Sequence, residues 1–381
     1  MKVLHITEYF PRSADCEVRG GIEARAFYIS RELARLGHDV TVLCARLPDE
    51  PVEHDLDGIH VRRCGPVRPY TQAGSKVARL EFVRSSIQAG RALKPDLVDG
   101  QNYLAYIAAI HIARPLRIPR IATYHDVWLG EWRKNMGFSA GLMGEALERY
   151  VLAHRWDQFI VNSGATKTKL VGVARSGSKI DVVYNGISLD DYTGLRPERF
   201  SRPTICYVGR LVRYKRVHDL LHALVKVRAT IPDIHLEIVG SGPDEGDVAA
   251  LVEQLGLQRS VTLRGFVEKH RDVLDVMARS HVLCLPSEVE GFGMVIVEAL
   301  ACGTPIVASA LDPIREITQE GRGGSLFPVG DVDEMARQLV AMFEDSALHA
   351  RSVTEGRAIA SGFDWSALGT QTEAIYQRVL A

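Results

Sequence analysis

An apolar, strand-like run at residues 281–285 stops at Pro286, passes through a glycine-containing turn, and re-enters an apolar run at 294–301 that Gly303 and Pro305 close. Two short apolar runs punctuated this way read as a buried strand followed by a buried helix. The same alternation fills the rest of the chain. Residues 3–6 read as a strand, 22–36 as a helix ending at Gly37, and 39–44 as the next strand. Strands follow at 96–99, 120–124, 159–163 and 181–187, with a helix at 103–114. The segment 189–203 is rich in Pro, Asp and Arg and lacks apolar periodicity. The pattern then restarts with a strand at 204–209, a helix at 217–228, and strands at 235–239, 261–263 and 305–309. Helices starting near 331 and 346 and one from 366 to 380 close the chain. Alternation of this kind gives an α/β protein, and its restart gives two doubly wound, Rossmann-like domains. A chain of 381 residues is long enough to core both.

Charge and cysteine usage exclude several classes. The formal net charge is -1, so no bulk attraction to nucleic acid or anionic lipid follows. The six cysteines are scattered, without a Cys-x-x-Cys or a zinc-like cluster. Several sit in apolar runs, as reduced cysteines do, which favours a cytoplasmic location. Lys2 leads straight into a strand and Pro11-Arg12 interrupts any apolar stretch, so no signal peptide is expected, and no uncharged run reaches the length of a membrane span. From Tyr70 to Lys94 the chain is locally basic, with Lys76, Arg79, Arg84 and Arg91 against Glu81. Val77, Leu80, Val83 and Ile87 give it an apolar stripe. The favoured reading is a surface helix packed on its domain; the alternative is a peripheral contact of 76–94 with the cytoplasmic membrane face.

The chemistry centres on two carboxylates. Glu290 lies in the turn before the 294–301 run and Glu298 lies within it. A carboxylate among Val295, Ile296, Val297 and Leu300 is costly unless something hydrogen-bonds it. Taken alone it reads as an internal ion pair or an exposed stripe. Gly291 and Gly293, however, let backbone N–H groups face outward at a helix N-terminus, an anion site shared by Phe292 and Met294. Helical rise separates the two acids by roughly 10–12 Å. That is too far for the carboxylate pair of a retaining glycosidase, at about 5 Å. It suits a long ligand gripped at both ends with a phosphate between, such as a nucleotide sugar. Arg210, Arg213, Lys215 and Arg216 cluster at the carboxyl end of the 204–209 strand, either as an anion clamp or as a solvated basic turn. Gly20 and Gly21 occupy the first strand-to-helix turn, and His125 lies just past the 120–124 strand, at the edge where open α/β sheets bind ligands. Gly240-Ser241-Gly242-Pro243 is at most a nucleotide-proximal turn, because Gly246 comes one residue too late for a dinucleotide fingerprint. Trp128 and Trp132 could stack on a sugar, cover an acceptor or fill a satellite core. Asp55/Asp57 and Asp331/Asp333 are Asp-x-Asp pairs, but neither stands at a strand end beside a phosphate-like loop, and the second reads as a helix start. No catalytic metal and no cofactor are expected.

Glu290-Gly-Phe-Gly through Glu298-Ala-Leu-Ala-Cys-Gly-Thr-Pro resembles the signature of the family-four retaining glycosyltransferases, with the GT-B fold. Thr123-Tyr-His-Asp and Gly209-Arg-Leu with Lys215 extend the resemblance, while Tyr184 stands where Pro is usual and Arg216 where Gly is usual. The resemblance implies an N-terminal, acceptor-side domain (1–188, joined by the C-terminal helix 366–381), a linker (189–203) and a nucleotide-sugar-binding domain (204–365), facing across a cleft. It implies catalytic roles for His125, Arg210, Lys215 and Glu290. The donor would be bound by Gly21, Arg210, Lys215, the backbone at Val267 beside the base, Glu290, Gly291, Phe292, Gly293, Met294 and Glu298, with Gly20 and Glu23 on the acceptor side. The expected activity is retaining, metal-independent transfer of a hexose or N-acetylhexosamine from a nucleotide-diphosphate sugar, UDP favoured over GDP-mannose, to a hydroxyl of a sugar, glycolipid or small molecule. A nucleotide-sugar 2-epimerase of the same fold and a non-catalytic binding protein are the alternatives. A nicotinamide dehydrogenase lacks its glycine fingerprint here.

Overall fold

The computed structural model describes residues 1–13, 20–69, 75–193, 195 and 198–381. Arg19 of the first turn, Cys16, Tyr70 of the basic segment, and residues 194, 196 and 197 of the expected linker lie outside the described residues. The chain divides into two units: Met1–Asn185 with Trp365–Ala381, and Gly186–Asp364.

The first unit is built on an eight-stranded sheet: β1 (Lys2–Ile6), β2 (Asp39–Ala45), β3 (Glu53–Leu56), β4 (Ile59–Cys64), β5 (Leu97–Gly100), β6 (Arg120–Tyr124), β7 (Gln158–Val161) and β8 (Ile180–Val182). Their spatial order is β3-β4-β2-β1-β5-β6-β7-β8, parallel except for the β3–β4 hairpin. Ile6 pairs with Leu43 on one side and Gly100 on the other, so the strand order reverses between β1 and β5. Leu4, Ile6, Val98, Ala122, Tyr124 and Phe159 form the core from strands buried on both faces, as a covered parallel sheet requires. The hairpin departs from the sequence reading. Its charged Arg62 and Arg63 mask a strand, yet Arg63 is buried and paired with Glu50 at 2.8 Å. The strand expected at 181–187 ends at Val182, because the Arg25 guanidinium takes the carbonyls of Val183 and Tyr184, both at 2.8 Å. In the helix Lys76–Leu93, Val83 and Ile87 pack on the core while Val77 and Leu80 stay exposed, so the expected stripe is split between two environments.

The second unit repeats the plan with six parallel strands: β9 (Thr204–Val208), β10 (His235–Val239), β11 (Val261–Gly265), β12 (Val282–Leu285), β13 (Ile306–Ser309) and β14 (Gly324–Phe327). The order is β11-β10-β9-β12-β13-β14, which reverses between β9 and β12. Ile205, Tyr207, Ile238, Leu283 and Val307 are buried in it, against Ile296 and Leu300 of the helix Met294–Cys302. In each unit the crevice outside the carboxyl ends of the strands at the reversal is where a doubly wound sheet takes a ligand. Among the described residues no helix is long and apolar enough to cross a membrane.

Candidate functional site

In the first unit the groups of interest gather beyond β1, β5 and β6. Gly20, in an extended conformation, caps the helix Gly21–Arg35, whose first turn carries the buried Glu23. Two residues on, Arg25 is also buried, and besides the two carbonyls it donates to Asn185 Oδ1 at 3.0 Å. Desolvation lowers its guanidinium to about 10, partly countered by Asp99 and Tyr376, so it remains charged at neutral pH. Asp99 near the end of β5 is fully buried and accepts four hydrogen bonds: Tyr376 Oη at 2.6 Å, Thr123 Oγ1 at 2.8 Å, Gln101 Nε2 at 3.0 Å and the Thr123 amide at 3.1 Å. Burial still pushes its carboxyl up to about 6, although those bonds and the Arg25 charge hold it down.

His125 follows β6. Its residue keeps some exposed surface, but its ring is held neutral, pushed to about 3 by desolvation and then by the Arg25 charge. The Gln101 backbone lies beside the ring and favours its proton, while Nε2 is inaccessible and has no hydrogen-bond partner among the described residues. Sequence reasoning missed Arg25, Asp99 and Tyr376. The available signal was a charged residue set directly between apolar ones, Ala24-Arg25-Ala26-Phe27 and Val98-Asp99-Gly100.

Trp132 is explained by packing. Its indole N–H donates to Glu148 at 2.6 Å, its ring meets Tyr103 at 4.9 Å and Trp128 at 5.3 Å, and a Cβ at Gly144 would lie 2.4 Å from it.

In the second unit two loops are stitched together. The exit of β9 carries Arg210, Arg213 and Lys215, and the loop after β12 carries Ser287 to Glu290. Lys215 Nζ donates to Glu290 Oε1 at 2.5 Å, Ser287 Oγ donates to the same oxygen at 2.8 Å, and the Glu288 amide donates to the Tyr214 carbonyl at 2.8 Å. Arg216 bonds Asp219 at 2.7 Å and reaches Glu288 at 3.4 Å. Arg210 is half-buried and has no carboxylate partner among the described residues. Tyr207 Oη donates to the Arg210 carbonyl at 3.0 Å and fixes the start of its loop.

The helix Met294–Cys302 starts on Gly293 at φ 95, without a side-chain cap. Glycine is required there: the left-handed backbone disfavours a side chain, and a Cβ would stand 2.6 Å from Ile314 Cδ1. The helix therefore starts without a capping side chain among the described residues, beside Gly291 and the buried Phe292. Glu298, one turn further along, accepts from His270 Nε2 at 3.2 Å. Burial opposes charge on His270, but Glu298, with help from Asp191, outweighs it and raises the imidazole above its ordinary value. Gly240 at φ 131 lets the β10 loop touch β9, since a Cβ there would lie 2.0 Å from the Gly209 carbonyl oxygen. Val267 lies half-buried just past β11. Of the Asp-x-Asp pairs, Asp55 contacts His60 in the hairpin, and Asp331 caps the helix Val332–Glu344 at 2.9 Å from the Glu334 amide.

So the second unit brings together Lys215, Glu290 and the Gly293–Met294 helix start, with Arg210 on the same strand exit. The first unit gathers Gly20, Gly21 and His125 at its own sheet edge.

Two family models cover nearly all of the chain. "Glycosyltransferase Family 4" matches residues 19–191, and "Glycosyl transferases group 1" matches residues 196–358. The chain belongs to the family-four, group 1 glycosyltransferases. Its fold is GT-B, and its activity is that of a glycosyltransferase. Glycogen synthase of Mycobacterium tuberculosis is 28% identical over 99% of this transferase and 94% of that protein. Phosphatidyl-myo-inositol mannosyltransferase of Mycobacterium leprae is 28% identical over 95% of this transferase and 94% of that protein. The structure of Anabaena Alr3699/HepE in complex with UDP and glucose superposes with a TM-score of 0.77 at 21% identity, covering 99% of each chain.

Proposed function

We propose that this transferase moves a hexose, or an N-acetylhexosamine, from a nucleotide-diphosphate sugar to a hydroxyl acceptor with retention of anomeric configuration. The second unit holds the donor lengthwise. Glu298 takes the ribose hydroxyls, Glu290 the hexose hydroxyls, and the backbone at Val267 the base. Arg210, Lys215 and the amides at Gly291–Met294 neutralise the diphosphate as it leaves, in place of a metal ion. Charge that develops on the leaving group is met by donors already in position, which is commonly the largest catalytic term. His125, Gly21, Gly20 and Glu23 serve the sugar and acceptor from the first unit, whose domain is taken as 1–188 with 366–381. The leaving phosphate is the base for the acceptor's proton, on the same face.

The observation that carries this reading is the Lys215–Glu290 pair at 2.5 Å, set beside a helix start without a side-chain cap and an arginine that has no carboxylate partner among the described residues. That arrangement offers surplus positive charge where a diphosphate would lie. UDP is favoured over GDP because HepE, of the same fold, was captured with UDP and glucose.

A thermal-shift panel of UDP, GDP, ADP and TDP tests the base. A nucleotide at about 100 times its dissociation constant stabilises by about 2.7 kcal/mol. UDP is expected to give the largest shift, and no shift with any of the four would overturn the site. Lys215→Ala should then lower kcat about 10²–10³-fold, with product mass spectrometry separating glycosyl transfer from epimerised donor. Turnover abolished by EDTA and restored by Mn²⁺ would contradict the metal-free step.

A further inference from the structure

We infer that Tyr376 of the C-terminal helix, acting through Asp99, is a positioning residue for His125. The inference rests on the proposed role of His125 beside the donor sugar.

The C-terminal helix Trp365–Leu380 is fixed in register on the first unit. Trp365 stacks on Tyr28 with ring centroids 5.4 Å apart and an interplanar angle of 11°. Gly369 lies so close to the first helix that a Cβ would stand 2.5 Å from Glu32 Cβ. Two turns further on, Tyr376 is wholly buried, and its hydroxyl is bounded by Asp99 Oδ2 at 2.6 Å and His5 Nε2 at 2.9 Å. A tyrosine hydroxyl has one proton to donate. With Asp99 ionised the proton goes to the carboxylate, and the hydroxyl oxygen accepts from His5.

The contacts of Asp99 lead to His125 by two routes. Both Thr123 bonds hold the end of β6, two residues before His125. The Gln101 side-chain bond holds the segment whose backbone lies beside the His125 ring. The strand that carries the imidazole and the backbone segment beside it are thus tied to one carboxylate. The shortest bond to that carboxylate comes from Tyr376. Among the described residues Nε2 of His125 is inaccessible and has no hydrogen-bond partner, so the ring's direction depends on these ties. Removing the hydroxyl leaves a buried carboxylate short of a donor, and its remaining partners must shift to compensate.

Core packing alone would also account for such a cluster, but it predicts a different outcome. A double-mutant cycle of Tyr376→Phe and His125→Ala, read as kcat for UDP release from UDP-glucose, separates the two. Tyr376→Phe should lower kcat about tenfold to a hundredfold, with donor KM changed much less. In the His125→Ala background the same change should cost almost nothing. Asp99→Asn should show the same non-additivity and serves if Tyr376→Phe folds poorly. The NMR signal of the His125 ring, which needs no substrate, should move in Tyr376→Phe. Equal losses in both backgrounds, or an unmoved His125 signal, would overturn the positioning role while leaving the function intact. Full turnover in His125→Ala would instead sink the His125 assignment and this inference with it.

Discussion

The two units share a strand order that reverses beside their first strand, yet they treat charge in opposite ways. In the first unit the polar groups at the strand ends are buried. They are joined by hydrogen bonds, and Arg25 is satisfied by carbonyls and an amide oxygen. In the second they are ion-paired and only partly covered: Lys215 with Glu290, His270 with Glu298, Arg216 with Glu288. A buried hydrogen-bonded cluster is costly to rearrange and holds one geometry. An ion pair that keeps contact with water is held less firmly and can exchange partners, the exposed Arg216–Glu288 pair most readily. Under the proposed function the first unit aims a neutral imidazole, and the second gives up its internal pairs for phosphates and hydroxyls.

Acid separates the units most. His5 is buried and neutral, lowered to about 3 by desolvation and then by Arg25. Its folded value is depressed, so the unfolded chain binds the proton first, and stability is lost as pH falls below the ordinary 6.5. Asp99, raised to about 6, acts oppositely: it favours the folded state as pH falls through 6 towards its ordinary 3.8. Between about pH 7 and about pH 5 His5 alone should cost roughly 2 kcal/mol. His5→Gln should remove that part of the loss, leaving the like loss from His125, also lowered to about 3, set against the gain from Asp99. All four tryptophans, Trp128, Trp132, Trp156 and Trp365, belong to the first unit, so urea unfolding followed by indole fluorescence reports on it selectively. Equal acid slopes for wild type and His5→Gln would break the contrast.

Parts of this contrast were open to sequence reading and parts were not, for a physical reason. The α/β class follows from local alternation of strand, glycine turn and helix, which short windows contain. The second unit's groups sit in two contiguous stretches, 209–216 and 286–298, so residue type and spacing bring them into view together. The first unit's cluster joins Tyr376 to residues 277 and 371 positions away, and no local pattern encodes that meeting. The β3–β4 hairpin is hidden by buried charge at Arg63. The helix Phe138–Ala153 is hidden by Gly141 and Gly144, which break its apolar period because neighbouring atoms at Arg133 and Trp132 leave no room for a side chain.

A smaller effect is expected at His270. Its raised value means that its pairing with Glu298 stabilises the second unit fully below 6.5 and is lost as pH rises through the folded value. A nucleotide whose ribose takes Glu298 must displace the charged imidazole in acid and a neutral one in base. UDP affinity measured by calorimetry should therefore weaken about threefold to tenfold from about pH 8 to about pH 6. His270→Asn should flatten that dependence. A pH-independent wild-type affinity would show that Glu298 keeps its partner when nucleotide binds.

The least change is expected at Arg216, which stands where the resembled pattern has glycine. Its backbone is left-handed, at φ 54, which costs a residue with a Cβ about 1 kcal/mol. Its side chain returns part of that through Asp219 and Glu288, contacts that are half-exposed and worth at most about 1 kcal/mol each. Arg216→Gly should accordingly leave stability within about 1 kcal/mol of wild type. The Tyr214–Glu288 backbone bond and the Lys215–Glu290 pair remain to hold the two loops together, so donor KM should rise no more than a few-fold. A loss of kcat as large as that expected for Lys215→Ala would mean that the arginine itself meets the diphosphate. The second unit would then hold one more exchangeable cation than its ion pairs imply, and the difference from the first unit would widen.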